Sequence, residues 1–119
     1  MKKLYEESML FDFYGELLTT HQKVIYEDFV LNDLSLGEIA EDRGISRQGV
    51  YDIVRRCRKQ LQGYEDKLHL IARFKEAKTS VSKIRSIADS VLSEDPSAQQ
   101  IRSRCEDICR LSDRIMEVL

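Results

Sequence analysis

Tryptophan is absent from this chain of 119 residues, proline occurs once, at Pro96, and glycine occurs five times. That scarcity excludes turn-rich, collagen-like and proline-rich architectures, each of which needs glycine or proline at recurring positions. Long apolar runs are missing as well. The opening stretch MKKLYEESMLFDFYGELL is broken by Glu6, Glu7 and Asp12, so neither a signal peptide nor a bilayer-spanning segment is expected. The expectation is a cytoplasmic protein without membrane insertion. Cysteine occurs three times, at Cys57, Cys105 and Cys109, with no CxxC pair, which points to free thiols rather than a disulfide framework.

The gaps extend to catalytic chemistry. Cys105 and Cys109 stand four apart on one helical face, but a metal site would need two more ligands, and no histidine is near in sequence. They read as core thiols. His21 and His69 are isolated, and GEIAEDRG lacks the lysine and the strand context of a phosphate loop. Carboxylates are scattered over amphipathic faces. No catalytic residue, metal or cofactor is expected, and the chain is not read as an enzyme.

What is present is helical. Leu, Ile, Glu, Lys, Arg and Gln dominate, residues that lose little on entering a helix, and an all-α protein is expected. Tyr5, Met9, Leu10, Phe13, Leu17 and Leu18 recur at three- and four-residue steps and predict one apolar stripe on a first helix. Thr19 or Thr20 can cap a second helix that carries Val24, Ile25, Phe29 and Leu31 and ends near Asn32. Ser35 with Glu38 makes a capping box for a third helix, which Gly44 stops; Ile45 turns inward and Ser46 caps a fourth helix.

From about Tyr64 the pattern becomes Leu70, Phe74, Ala77, Val81, Ile84, Ala88 and Val91, a heptad seam on one long helix. SEDPSAQQ ends that helix, and Ile101, Cys105, Ile108, Leu111, Ile115 and Leu119 form a last stripe, so a helical hairpin is expected. The seam offers more apolar surface than one returning helix covers, which predicts a homodimer. The expected domains are residues 1–63, a helix-turn-helix unit of winged-helix-like class, and 64–119, a dimerisation hairpin.

Charge is distributed unevenly. Residues 1–42 hold three basic and ten acidic side chains, residues 43–59 six and one, and residues 60–119 ten of each. The formal net charge of −2 conceals a basic segment, and it is local field that attracts a polyanion at short range. The same segment has the spacing of a helix-turn-helix: small Ala40 where two helices touch, Gly44 in the turn, Val50 pointing inward, and Ile39, Ile45 and Ile53 in the shared core. Those choices turn Arg47, Gln48, Tyr51, Asp52 and Arg55 outward, beside Ser46, and Arg56, Arg58 and Lys59 flank them. Arg and Gln suit bidentate contacts with guanine and adenine edges, and flanking Arg and Lys suit phosphates. Asp52 is at odds with phosphates unless it pairs with an arginine or accepts from cytosine. A packing corner alone would not confine the basic excess to its second helix.

The stretch TTHQKVIYEDFVLNDLSLGEIAEDRGISRQGVYDIVRRCRKQLQGYEDKL resembles the promoter-reading fourth region of bacterial sigma factors, with the same order of helices and Ser-Arg at the start of the recognition helix. By that resemblance Arg47 and Gln48 fall on base-reading positions and Arg55 and Arg58 on backbone-contacting ones. Without the other sigma regions, recruitment of polymerase is not implied. Nearly the whole chain resembles the YlxM family of small bacterial helix-turn-helix proteins, through YGELLTTHQKVIYEDFVLNDLSLGEIAE and GISRQGVYDIVRRCRKQLQGYEDKL. That resemblance implies either a DNA-binding regulator or an accessory factor of the signal recognition particle that meets the particle's RNA or protein. The sequence favours DNA as the partner and leaves RNA open.

Overall fold

Local chemistry sets most of the helix ends. The computed structural model describes the backbone from Lys2 and the side chains from Tyr5 onward. Helices α1 (Lys2–Tyr14), α2 (Thr20–Val30), α3 (Leu36–Arg43), α4 (Arg47–Leu68), α5 (Leu70–Ser93) and α6 (Ala98–Val118) follow one another, with a 3-10 turn at Gly15–Leu17, and no strand occurs among the described residues. The protein is all-α.

Three helices begin on reciprocal capping boxes, Thr19 with Gln22, Ser35 with Glu38 and Ser97 with Gln100, each satisfying two amides that a helix start would leave unpaired. Gly44 ends α3 at φ 66°, and the Ile45 amide donates back to the Ala40 carbonyl at 3.1 Å, the longer bond of a Schellman turn. Only glycine takes that left-handed conformation without a Cβ penalty.

The chain divides into two units, one through Ile71 and one from Ala72. In the first, α4 packs against α1, α2 and α3. Its core holds Leu10, Phe11, Tyr14, Ile25, Tyr26, Ile39, Val50, Val54, Cys57 and Leu61. In the second, α5 and α6 carry partly buried Ile84, Ile87, Val91, Ile108 and Leu111, and Arg104 reaches Glu94 at 2.8 Å. No residue of α6 is fully buried.

Several expectations change. Tyr5 and Leu17 are more than half exposed, while Phe11 and Tyr14 are buried: at about 100° per residue Tyr5 lies on the opposite side of α1 from Tyr14, and Leu17 belongs to the 3-10 turn that follows that helix. The second helix ends at Val30, and Leu31 is exposed. The long helix expected from Tyr64 is two helices: α4 runs through Tyr64 to Leu68, His69 turns left-handed at φ 56°, and α5 starts at Leu70. The boundary between units therefore falls eight residues beyond 63. Cys105 and Cys109 are exposed, not core thiols; Cys57 is the buried one. Along the heptad seam, Leu70, Phe74 and Val81 are exposed while Ala77, Ile84, Ala88 and Val91 are partly buried.

Candidate nucleic-acid interface

Helices α3 and α4 with the turn Gly44–Ser46 between them form the helix-turn-helix. Ile39, Ala40 and Val50 are buried where the two helices meet, and Ile45 and Ile53 pack against them partly exposed. Ser46 caps α4, its Oγ accepting from the Gly49 amide at 2.9 Å. A Cβ at position 49 would lie 3.1 Å from that oxygen, so the glycine leaves the cap room.

At about 100° per residue, α4 divides cleanly. Val50, Val54, Cys57 and Leu61 face the core, and Gln48, Asp52, Arg55 and Lys59 run down the opposite side, with Arg47 and Tyr51 on one flank and Arg56 on the other. All seven outer side chains are exposed, Tyr51 by 47%. The Arg47 side chain lies over Gly37, where a Cβ would be 3.8 Å from Arg47 Nε.

Ion pairing sorts the basic side chains of residues 43–59 into two groups. Arg43 reaches Asp28 at 2.9 Å, and this bond holds the Asp28 carboxyl below its ordinary range. Arg58 Nε sits 2.6 Å from Glu7 Oε1, a carboxylate only 7% exposed, beside the buried Tyr26 hydroxyl. Burial, and next the Glu7 charge, push the Tyr26 hydroxyl up to about 12. Arg58, expected on a phosphate, is thus turned toward α1 and neutralised there. Arg47, Arg55, Arg56 and Lys59 make no ion pair among the described residues. Asp52 accepts from Gln48 Nε2 at 3.1 Å rather than from an arginine.

Sequence reasoning missed a polar cluster at the far end of α4. The Tyr14 hydroxyl donates to Glu65 Oε1 at 2.6 Å and accepts from the Leu70 amide at 3.1 Å, while the Ile71 amide donates to Glu65 Oε1 at 2.9 Å. Tyr14 and Glu65 together satisfy the first amides of α5. Burial, then the Glu65 hydrogen bond, raise the Tyr14 hydroxyl above its ordinary value. The 51-residue separation of the pair hides it from any local pattern.

Among the described residues no three metal-ligating side chains converge, and no helix is long and apolar enough to cross a membrane. Known proteins place this arrangement. The family UPF0122, described as "Putative helix-turn-helix protein, YlxM / p13 like", matches residues 1–104. This chain belongs to the UPF0122 family. A UPF0122 protein of Acetivibrio thermocellus is 40% identical over 119 residues, covering 100% of this chain and 98% of that protein. The UPF0122 protein YlxM of Bacillus subtilis is 41% identical over 95 residues, 80% of this chain and 86% of its own, and a UPF0122 protein of Bacillus pumilus is 43% identical over 99 residues, 82% and 90%. The helix-turn-helix of the UPF0122 description corresponds to α3, Gly44–Ser46 and α4, and a helix-turn-helix family with an unneutralised basic face points to nucleic-acid binding. An all-helical protein of this kind is consistent with a non-enzyme.

Proposed function

We propose that this UPF0122 protein is a DNA-binding regulator that docks the outer face of α4 in the major groove of a duplex. One observation carries the reading: Arg43 and Arg58 are neutralised by acidic side chains of other helices, whereas Arg47, Arg55, Arg56 and Lys59 are exposed and unpaired along one face with Gln48 and Tyr51. Four exposed cations left without an ion pair on the outer side of one helix match a phosphate-lined groove. Arg47 and Gln48, in the first turn, read base edges, Tyr51 and Arg55 follow one turn on, and Arg56 and Lys59 hold phosphates. Ser46 serves chiefly as the helix cap. Arg58 acts through the fold.

The hairpin supplies the second half of the proposal. Leu70, Phe74 and Val81 expose apolar surface on α5, and a second copy of the chain would cover it together with Ala77, Ile84, Ala88 and Val91. Two copies present two α4 helices, and the preferred site is two half-sites about ten base pairs apart or a multiple of that.

The test is binding of a random-sequence duplex followed against salt. Each of Arg56→Ala and Lys59→Ala should lower affinity and reduce the slope of log K on log salt by about 0.9 for each phosphate no longer neutralised. Absence of duplex binding overturns the reading. If the signal recognition particle's RNA is bound instead, and the same variants lose it, the accessory-factor role takes its place.

A further inference from the structure

Asp52 is the single acidic side chain among residues 43–59. Arg55 and Arg56 follow it by three and four positions, the spacing at which opposite charges pair along a helix. No ion pair forms with either among the described residues; the carboxylate is instead held one turn back by Gln48 Nε2 at 3.1 Å. A carboxylate thus sits at the centre of the exposed face, with both arginines left free around it.

Resting on the reading of α4 as a DNA-facing helix, we propose that Asp52 is the specificity-determining residue of that helix, selecting a base that presents an amino donor in the major groove, cytosine first, and rejecting guanine and thymine. A carboxylate only accepts hydrogen bonds. In the major groove cytosine presents its N4 amino donor and adenine its N6, whereas guanine offers O6 and N7 and thymine O4, all acceptors. Opposite guanine or thymine, acceptor faces acceptor with no proton between them, which is how an interface discriminates by repulsion. The bond to Gln48 makes the selection sharper. Because Asp52 can only accept, it orients the amide so that the NH2 faces the carboxylate and Oε1 faces away. The second N–H and Oε1 of Gln48 remain for a base, and that donor–acceptor pair matches adenine N7 and N6. An adenine read by Gln48 therefore neighbours a cytosine read by Asp52. The same carboxylate repels phosphates, so it lowers affinity for every duplex while it raises the contrast between them. An A-form RNA helix is no substitute, since its major groove is too narrow for these side chains.

The experiment is a selection from random DNA duplexes with the full chain, run in parallel with Asp52→Asn and Asp52→Ala. Asp52 is exposed, and melting curves establish that both variants keep the fold. The wild type should exclude guanine and thymine at one position. Asp52→Asn, which both donates and accepts, should admit them there, leave other positions unchanged, and bind unselected duplex more tightly at low salt. Replacing the selected cytosine by 2-pyrimidinone, which lacks the amino group, should weaken the wild type about tenfold and leave Asp52→Ala unaffected. If Asp52→Asn keeps the wild-type preference at every position, Asp52 is not the determinant although α4 still reads DNA. If the wild type enriches no duplex, the DNA reading itself fails and this inference with it.

Discussion

The Tyr14 hydroxyl and the Glu65 carboxylate, 51 positions apart, meet at 2.6 Å and together hold the first amides of α5. His69 ends α4 in a left-handed conformation, which a residue with a Cβ adopts only at a cost. The cluster compensates by giving the amides that follow defined acceptors. Tyr14→Phe strips the Leu70 amide of its acceptor and Glu65 of a donor, and should cost about 1–3 kcal/mol. Glu65→Gln keeps an acceptor oxygen and should cost less. Hydrogen exchange at Leu70 and Ile71 is the measurement: faster exchange is expected in Tyr14→Phe, and protection equal to wild type would contradict the assignment.

Arg58 and its neighbours on α4 should separate in solution. Arg58→Ala leaves the Glu7 carboxylate buried without its counter-charge, and removal of one partner of a buried pair costs about 3–5 kcal/mol; with Arg58 39% exposed the lower end applies. Lys59→Ala, fully on the outer face, should leave stability within about 0.5 kcal/mol of wild type. Urea denaturation distinguishes them, and equal midpoints for the two variants would remove the structural role given to Arg58.

Alkaline pH should weaken the first unit in two stages. Burial pushes the Cys57 thiol from 9.0 up to about 11 and the Tyr26 hydroxyl from 10.0 up to about 12. The native state holds these protons after the unfolded chain has released them. Their contribution is therefore complete below about pH 9 and is lost as pH rises through 9 to 11 for Cys57 and 10 to 12 for Tyr26. Tyr26→Phe should flatten the later part of that loss, and a stability profile unchanged between pH 8 and 11 in the wild type would refute both assignments.

The hairpin's exposed seam predicts association. Sedimentation should show a dimer at micromolar concentration, and Val81→Asp, placing a charge at a side chain 53% exposed in the single chain, should yield a folded monomer. A monomeric wild type leaves the seam without its proposed occupant.

Where a helix begins and ends by chemistry local to a few residues, the sequence is readable. Ser35 with Glu38, Gly44 at the turn and Ser46 before Arg47 each declare their roles within four positions, and the helix-turn-helix follows from them. The apolar stripe of α1 misleads at both ends: Tyr5 lies opposite the buried Tyr14 on the same helix, and Leu17 falls in a 3-10 turn that no proline marks. The break at His69 escapes for a similar reason: KLHLIARF contains neither glycine nor proline, and what holds the bend is Tyr14, a residue of α1. The outer face of α4 is legible as a periodicity, but its membership is not. Arg58 lies near Arg47 in helical phase, and only Glu7, folded against it from the far end of the unit, distinguishes a neutralised cation from a free one.

That segregation governs how a polyanion can arrive. Thirteen carboxylates against ten cations make the unit through Ile71 negative as a body, while four cations without an ion pair among the described residues, Arg47, Arg55, Arg56 and Lys59, sit together on the exposed side of α4. Charges farther off than a Debye length, about 8 Å at physiological salt, are largely screened, so an approaching polyanion meets the local sign of whichever face it nears, positive along α4 and net negative over the rest of the unit. Encounter is therefore selective in orientation. Added salt should loosen a polyanion docked on α4, because it screens the cations that hold it. The pairing of Arg43 with Asp28 and of Arg58 with Glu7 thus gives the unit an electrical front and back.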